Sequence, residues 1–351
     1  MLTARENMRR TVFGGGEPDR FVNQYEAIQL LMNAFTPHSG PRPANPGDED
    51  KVNAWGVTYG WPEHLPAGFP VHTPDKIVIK DIENWRDYVK APSLKYPQEE
   101  WDVFKEQYDA IDREKSYAAA FVAPGLFEQT HHLSEIANAL TYYITNPAEM
   151  HDLIKYLTEF ELELAEGICT YLKPDALFHH DDWGSELSTF LNPDMFADFF
   201  VEPYKEIYGY YHDHGVEMVV HHSDSYAATL VPSMIEMGID VWQGCMESNE
   251  VFKLLDKYRG QIAFMGNIDN KYIDREGWNN EIAAELLYTR MPEGMDKRSY
   301  IPSITQGGPG STCYKGAYSA LAEEIDKRNA LLFGLKVEDI EAARLPLQIM
   351  F

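Results

Sequence analysis

The sequence predicts an α/β protein with a (β/α)8 TIM barrel, formed as a single domain over residues 1–351 with N-terminal loop excursions. Short apolar segments alternate with amphipathic segments of helical spacing over most of the chain, a pattern typical of parallel strands joined by helical crossovers. About eight segments have the composition of strands, which is the number that such a barrel needs. No GxGxxG motif follows the first of them, which disfavours a dinucleotide-binding fold, and no break in composition marks a second domain.

Within that domain the chain has an irregular N-terminal part, residues 1–115, and a part of regular strand–helix units, residues 116–351. In the first part, residues 20–24 are predicted to form a strand, and the apolar spacing of residues 26–35 predicts a helix. The loops that follow are rich in proline and carry aromatic side chains, as loops that cover an active site often do.

The composition limits the classes of function. The chain has 351 residues, of which 44% are hydrophobic and 25% charged, as in an ordinary globular protein. Its formal net charge of -26 argues against binding to nucleic acid, to an anionic membrane surface or to a polyanionic substrate. Three cysteines form no disulfide framework, and no segment has the apolar length of a signal peptide or a membrane span. We therefore expect a cytoplasmic protein.

The candidate functional residues are the polar groups just after the strands, since these share one mouth of a TIM barrel. His222 and Asp224 follow one apolar strand, and Cys245 ends the next. Residues two apart in extended chain point to the same side, so His222 and Asp224 can face one ion. An imidazole, a carboxylate and a thiolate suit zinc, and we predict a metal site formed by these three residues. The pattern also allows His221 or His222 to cap the next helix and Cys245 to pack in the core.

Several of these strand ends resemble those of the uroporphyrinogen decarboxylase superfamily. The resemblance rests on residues 178–184 (FHHDDWG), 220–224 (VHHSD), 238–241 (GIDV) and 265–269 (MGNID), and on the glycine-rich segment after Ile304. It extends over residues 115–335 and by itself implies the (β/α)8 barrel.

Two branches of that superfamily compete. Uroporphyrinogen decarboxylase has an arginine-rich segment near its N-terminus, but the matching residues 18–26 contain one arginine, which disfavours this alternative. The corrinoid-dependent methyltransferases bind zinc through a His-x-Cys turn and a later cysteine. Here His222 matches the histidine, Asp224 replaces the first cysteine, and the second falls near Gly308, with Cys313 a few residues beyond. A harder ligand set than that of the coenzyme M methyltransferases is a stronger Lewis acid for an oxygen substrate.

The resemblance therefore implies the substrate-side methyltransferase of an O-demethylase system. Such an enzyme moves a methyl group from a small aromatic methyl ether to the Co(I) corrinoid of a corrinoid-binding partner protein, with bound zinc on His222 polarising the ether oxygen. We expect the assisting acids to be Asp181, Asp182 and Glu186. The expected substrate-binding residues are Tyr25, Glu26, Trp55, Phe127, Trp183, Asn267 and Gln306.

Other functions stay open at this point. The alternatives are a decarboxylase of the uroporphyrinogen type, a corrinoid methyltransferase with another donor or with an acceptor such as coenzyme M, and a non-catalytic binding protein. The last would leave the many acids and histidines at the strand ends without a role. A homodimer is compatible with the resemblance.

Overall fold

The structure is a computed structural model that describes residues 1–65 and 67–349. Its strands, in chain order, are β1 (Ile28–Leu31), β2 (Lys51–Val52), β3 (Thr58–Gly60), β4 (Phe69–Pro70), β5 (Tyr117–Val122), β6 (Ala176–His180), β7 (Met218–His222), β8 (Val241–Cys245), β9 (Ala263–Ile268) and β10 (Tyr300–Ile304).

The helices surround the larger of the two sheets that these strands form. They are α1 (Ala4–Phe13), α2 (Gln98–Asp109), α3 (Leu126–Ser134), α4 (Ile136–Thr145), α5 (Pro147–Gly167), α6 (Pro193–Phe196), α7 (Glu202–Asp213), α8 (Val231–Met237), α9 (Val251–Tyr258), α10 (Asn270–Ile273), α11 (Asn280–Arg290), α12 (Ala317–Phe333) and α13 (Val337–Ala342). Two short π-helical segments, Ile168–Leu172 and Ala197–Val201, adjoin α5 and α7.

The larger sheet has the order β1-β5-β6-β7-β8-β9-β10, and every neighbouring pair in it is parallel. It curls into a TIM-barrel-like wall whose inner and outer faces are both buried, as a parallel sheet covered by crossover helices requires. The predicted fold class is thus confirmed. The described part of the chain supplies seven parallel strands rather than about eight.

The N-terminal predictions were wrong in detail. Residues 20–24 form no strand, and the segment predicted as a helix over residues 26–35 contains strand β1 instead. Gln24 has a left-handed backbone conformation with φ 52°, which interrupts extended chain at that point. The apolar residues after Gln24 form so short a run that their spacing fits both a helix and a strand. Parallel pairing of Ile28 with Tyr117 of β5 makes this segment a strand.

Two glutamine side chains close the seam between β10 and β1. On the β10 side, the Gln24 backbone N–H donates to the Pro302 carbonyl at 3.3 Å, and the Gln24 side-chain oxygen accepts from the Ile304 N–H at 3.3 Å. On the β1 side, the Gln348 amide accepts from the Leu30 N–H at 2.8 Å and donates to the Leu30 carbonyl at 2.9 Å. The seam therefore satisfies backbone groups that an eighth strand satisfies in a closed barrel.

The N-terminal excursion contains a small antiparallel sheet, β2-β3-β4, that packs against the barrel near α3 and α5. Tyr59 of this sheet contacts His132 of α3, with 3.3 Å between its hydroxyl and His132 Nδ1. Trp55 packs edge-on against Phe160 of α5, with ring centroids 4.8 Å apart. The excursion thus forms one wall of the space next to β5 and α3.

Among the described residues, no helix combines the length and the apolar character that a bilayer crossing demands.

Candidate metal centre

The two central strands each end in a pair of adjacent histidines, and the pairs lie side by side. In the register of β6 and β7, His179 is level with His221, and His180 is level with His222. Successive side chains of a strand point to opposite faces, so one histidine of each pair faces the interior of the barrel and the other faces the helices. We call His180 and His222 the inward pair and His179 and His221 the outward pair.

The inward pair lies at the centre of a cluster of possible metal ligands. The rings of His180 and His222 stack with centroids 4.5 Å apart. Asp182, in the turn after β6, approaches both, with 3.7 Å from its Oδ2 to His180 Nε2 and 3.9 Å from its Oδ1 to His222 Nε2. Asp224 Oδ2 lies 3.9 Å from the same nitrogen of His222. Ligand atoms of His180, Asp182 and His222 all fall within 4.8 Å of one another.

The hydrogen bonds of Gln243 determine which nitrogen of His222 is free. The Gln243 side-chain nitrogen donates to the Ile304 carbonyl at 3.3 Å, so the Gln243 oxygen turns towards His222 Nδ1 and accepts a hydrogen bond there. His222 Nδ1 must then carry the proton, and Nε2 keeps its lone pair. This Nε2 is buried and has no hydrogen-bond partner. A metal-ligating histidine is oriented in the same way by an outer acceptor, so His222 has the arrangement of a ligand.

Several acidic side chains surround the inward pair, although the site is largely buried. Burial, followed by the charge of Asp182, raises the pKa of Asp224 well above its ordinary value, and burial likewise raises the pKa of Glu128. Burial also lowers the pKa of His180, but the carboxylates of Glu128 and Asp182 outweigh it and raise that pKa to about 10. Burial lowers the pKa of His222 to about 4, so its imidazole is neutral at pH 7. Crowded carboxylates around a neutral imidazole favour a bound cation.

A cleft of about 420 Å³ opens beside this cluster, between the N-terminal excursion and the ends of β5 and β6. His180 of the cluster and Glu128, whose Oε2 lies 3.3 Å from His180 Nε2, both form part of its wall. Its other lining residues are mainly apolar or neutral, with one guanidinium, and are Met32, Asn33, Phe35, Thr36, Ser39, Arg42, Phe121, Val122, Ala123, Pro124, His132 and Leu164.

Among the described residues, His222 lies in a group of possible metal ligands that does not include Cys245. Cys245 is fully buried, and its position in β8 follows a bulge at Gly244, whose φ is 90°. Burial, and then the charge of Asp269, raises the pKa of the Cys245 thiol well above its ordinary value, which disfavours a thiolate. In the described ranges the ligand cluster around His222 consists of His180 and Asp182, and Asp224 lies next to it.

The sequence predicts a catalytic role for Asp181, but the hydrogen bonds of its carboxylate are those of a structural residue. Its fully buried carboxylate accepts from the backbone N–H groups of Phe127 and Glu128 at 3.0 and 2.7 Å, from Trp183 Nε1 at 2.8 Å, and from the Tyr204 hydroxyl. Four donors occupy its lone pairs, and two of them are unpaired N–H groups of the first turn of α3. Asp181 therefore fixes helix α3 on the end of β6. Trp183, whose Nε1–H donates to Asp181, also stacks on His221 with ring centroids 3.9 Å apart.

Glu26 also has a structural position rather than the predicted substrate-binding one. It is 1% exposed and lies 3.3 Å from Arg20 and 3.3 Å from Arg344, and it accepts from the Asn23 N–H at 3.2 Å. Arg344 pairs in turn with Asp326 of α12 at 2.7 Å. The one arginine of the N-terminal segment is thus engaged in a buried ion network that joins the two ends of the chain.

The predicted aromatic contacts divide into near and distant ones. Tyr25 is close to the cluster, since its ring lies 6.1 Å from that of Phe178, which in turn lies 6.0 Å from that of His222. Trp55 packs on α5 as described, and Phe127 packs between Tyr143 and Phe190, at 6.2 and 5.7 Å. Neither of these two lines the cleft.

Of the remaining predicted residues, two lie in exposed loops and one, Asn267, is buried in strand β9. Glu186 is exposed in the loop after β6, and Gln306 is exposed after β10. Asn267 is buried, but its carbonyl accepts from Arg290 at 2.7 Å and its side chain donates to the Tyr300 hydroxyl at 3.4 Å. The charge of Glu186 contributes to the raised pKa of Asp224, which places Glu186 near the mouth but not in the ligand cluster.

The sequence prediction missed four residues that the structure brings together, namely His180, Glu128, Gln243 and Arg42. His180 is the last residue of β6 and Glu128 follows β5, so their positions at strand ends already marked them as candidates. Gln243 alternates with Cys245 on β8, so the same period-two rule that selects Cys245 also selects it. Arg42 lies in an irregular loop, where the sequence has no period from which a direction can be read.

Comparison with known proteins adds the family and the fold. The family model described as uroporphyrinogen decarboxylase (URO-D) matches residues 56–312. A structure described as a methyltransferase from Methanosarcina mazei matches with a TM-score of 0.62 and 13% identity, covering 93% of this chain and 99% of the other.

A D-psicose 3-epimerase matches with a TM-score of 0.37 and 10% identity, over 68% of this chain and 86% of the other. A sugar phosphate isomerase/epimerase from Parabacteroides distasonis matches with a TM-score of 0.34 and 9% identity, over 65% and 78% of the two chains. No curated protein sequence matches significantly.

Proposed function

The chain belongs to the uroporphyrinogen decarboxylase family, and from that premise we propose that it is the methyltransferase of an O-demethylase system. In the proposed reaction the bond between the methyl carbon and the oxygen of an aryl methyl ether breaks, and the methyl group passes to the Co(I) corrinoid of a partner protein. The oxygen keeps the electron pair and leaves as a phenolate. The structural likeness to a methyltransferase from Methanosarcina mazei supports the choice of methyl transfer within the family.

The residues around His222 fit a zinc ion. His222 offers a buried nitrogen with a free lone pair, and His180, Asp182 and Asp224 lie within 4.8 Å of it or of one another. Nitrogen and carboxylate ligands are common in catalytic zinc sites, and an all-nitrogen-and-oxygen set is harder than a thiolate set. When bound, zinc supplies a Lewis acid that stabilises negative charge on a substrate oxygen.

The adjoining cleft has the size and lining for a substituted benzene ring. Phe35, Phe121 and Leu164 supply apolar contact area in its wall. A volume of about 420 Å³ lies in the range of small-molecule sites. His180 belongs both to this wall and to the ligand cluster, so a ring held in the cleft places its ether oxygen towards the inward pair.

The chain's own residues hold the site in place before substrate binds. Gln243 fixes the tautomer and direction of His222, and the backbone N–H of Asp224 donates to Asp182 at 2.9 Å. Asp181 holds the first turn of α3, from which Glu128 projects towards His180. Groups that are fixed in advance spend no free energy on reorganisation when charge develops on the substrate oxygen.

The observation that carries the proposal is the buried, unpartnered Nε2 of His222 beside acidic groups and an apolar cleft. The test is methyl transfer from a simple methoxybenzene to cob(I)alamin, followed by the absorbance of the cobalamin. We expect His222→Ala to lose at least about 100-fold in rate, as when a main electrostatic stabiliser of a transition state is removed.

The matched control is His151→Ala, because His151 is exposed on α5, where it pairs with Asp198 at 3.2 Å and stacks on Phe199 away from the ligand cluster. It should keep the wild-type rate. Equal rates for wild type and His222→Ala would refute the role given to His222.

Arg42 favours one further candidate, a decarboxylase acting on a small acid. Its guanidinium lines the cleft, and within residues 1–65 and 67–349 no carboxylate lies in ion-pair distance of it. A carboxylate substrate can pair with it. Release of CO2 from small aromatic acids, measured without corrinoid, separates this activity from methyl transfer.

A further inference from the structure

A second group of possible metal ligands lies on helix α3, next to the first. Glu128, His131 and His132 offer ligand atoms that all fall within 4.8 Å of one another. Positions three and four residues apart lie on one face of a helix, so α3 presents the carboxylate and both imidazoles together. We call these three residues the helix cluster.

Glu128 faces both groups. Its Oε2 lies 3.3 Å from His180 Nε2 of the inward pair and is buried without a hydrogen-bond partner. A buried carboxylate oxygen is stabilised by a neighbouring cation, and His180 cannot supply that charge while its Nε2 binds an ion at the inward pair. The carboxyl groups of Asp182 and Asp224 lie in the same small region, so three acidic groups surround the inward pair.

The imidazoles of the helix cluster are free to ligate. Tyr59 accepts from Arg42 at 3.3 Å, and its hydroxyl lies 3.3 Å from His132 Nδ1. A phenol oxygen has two lone pairs, so it can accept from His132 Nδ1–H as well and leave Nε2 for an ion. The ring of His131 lies 4.8 Å from that of His132 and is partly exposed. Burial lowers the pKa of His131 to about 4, which keeps it neutral.

We propose that Glu128, His131 and His132 bind a second divalent transition-metal ion, with Glu128 shared between this ion and the one at the inward pair. Imidazole and carboxylate ligands select an ion of the zinc class. Both Glu128 and His132 line the cleft, so the coordination positions that the protein leaves open face the substrate space. An oxygen substituent of a bound ring is the group that would reach them.

The test is the number of zinc ions bound after metal-free protein is incubated with zinc alone and dialysed. Wild type should hold two per chain, and His131→Gln should hold one. His222→Gln should also hold one, and the two changes together should hold none. His131 is the variant of choice because it is only partly buried. His132→Gln is a second variant with the same expected loss, and circular dichroism shows that each variant is folded.

His151→Gln is the matched control and should keep two ions, since it changes a histidine that lies away from both groups. A wild type that holds one ion, lost with His222→Gln but kept in His131→Gln, would overturn the second site and leave the proposed function intact. One ion lost with His131→Gln but kept in His222→Gln would instead overturn the metal role of His222, and with it the sharing of Glu128.

Discussion

The inward and outward pairs are four histidines on the same two strands, and only one pair has the features of a reactive site. All four lie in the barrel wall, and His179, His221 and His222 are almost fully buried. The outward pair is joined by Tyr208 of α7, whose hydroxyl lies 2.8 Å from Nδ1 of each ring. The inward pair has acidic neighbours and, at His222, a nitrogen without a partner.

The outward pair is linked by a chain of hydrogen bonds through Tyr208. The Asp181 carbonyl accepts from His221 Nε2–H at 3.1 Å, so His221 Nδ1 accepts from the Tyr208 hydroxyl. The Tyr208 oxygen can then accept from His179 Nδ1–H, while His179 Nε2, 3.1 Å from a Glu161 oxygen, has no hydrogen-bond partner among the described residues. Burial alone does not identify a functional histidine. What distinguishes the inward pair is its place beside two acids, Asp182 and Asp224, and beside the cleft that His180 lines.

The strongest test of this difference compares alanine variants of the two histidines that end β6, one inward and one outward. His180→Ala should lose at least about 100-fold in methyl transfer, because it removes a group shared by the cleft and the ligand cluster. His179→Ala should keep zinc and most of the activity but lower the free energy of unfolding by about 2–4 kcal/mol, as a buried, hydrogen-bonded ring is lost. Rates and urea unfolding of both variants measure the contrast.

If His179→Ala lost activity as fully as His180→Ala while remaining folded and zinc-bound, the assignment of the two faces would fail.

A second test acts on the direction of His222. Gln243→Leu removes the acceptor that orients the ring, and the affinity for zinc should fall by about 10- to 100-fold, the usual cost of losing an outer partner of a ligand. Competition with a chromogenic chelator measures the affinity. Gln306→Leu, a change in an exposed glutamine, is the control and should have the wild-type affinity.

An unchanged affinity in Gln243→Leu would show that packing rather than this hydrogen bond directs the ring.

At the inward pair, the pH dependence of zinc binding should reflect the proton of His180 rather than that of His222. The pKa of His180 is raised to about 10, so the metal-free protein carries this proton at pH 7 and the ion must displace it. Affinity should therefore fall about tenfold for each unit that the pH is lowered from 8 to 6. His222, with its pKa lowered to about 4, adds nothing in this range.

Calorimetry in two buffers of different ionisation enthalpy measures the released proton. A binding enthalpy that is the same in both would contradict protonation of His180.

The smallest effect on activity should come from the outward pair. Tyr208→Phe removes the hydroxyl between His179 and His221. The free energy of unfolding should fall by about 2 kcal/mol, because each buried partner left unsatisfied costs roughly 1–3 kcal/mol. Zinc content and the rate of methyl transfer should stay at the wild-type level. Thermal unfolding and metal analysis of the variant decide this, and a loss of zinc would show that the two faces are coupled through the strands.

The sequence was sufficient for the fold class, and the ligand role that it assigns to His222 stays a prediction. Alternating strand and helix patterns identify the parallel sheet, and the His-x-Asp turn identifies His222 as a possible ligand. The missed members depend on tertiary geometry. The bulge at Gly244 changes the direction of the chain before Cys245, and a period-two rule cannot anticipate a bulge.

The roles of the acidic residues were difficult to predict from the sequence for a different reason. Asp181 and Asp182 are adjacent and chemically alike, yet one caps α3 and the other faces the inward pair. Glu26 resembled a site residue because it follows a predicted strand, but its partner Arg344 is more than three hundred residues away in sequence. Long-range partners of this kind leave no local pattern.

The seam between β10 and β1 has a consequence for how the molecule meets its neighbours. An open edge of a sheet presents unpaired N–H and C=O groups that can recruit a strand from another molecule. Gln24 occupies such groups on one edge and Gln348 occupies them on the other, while Pro302 has no N–H to offer. The two amide side chains thus occupy backbone groups at the margins of the sheet that could otherwise take part in intermolecular strand pairing.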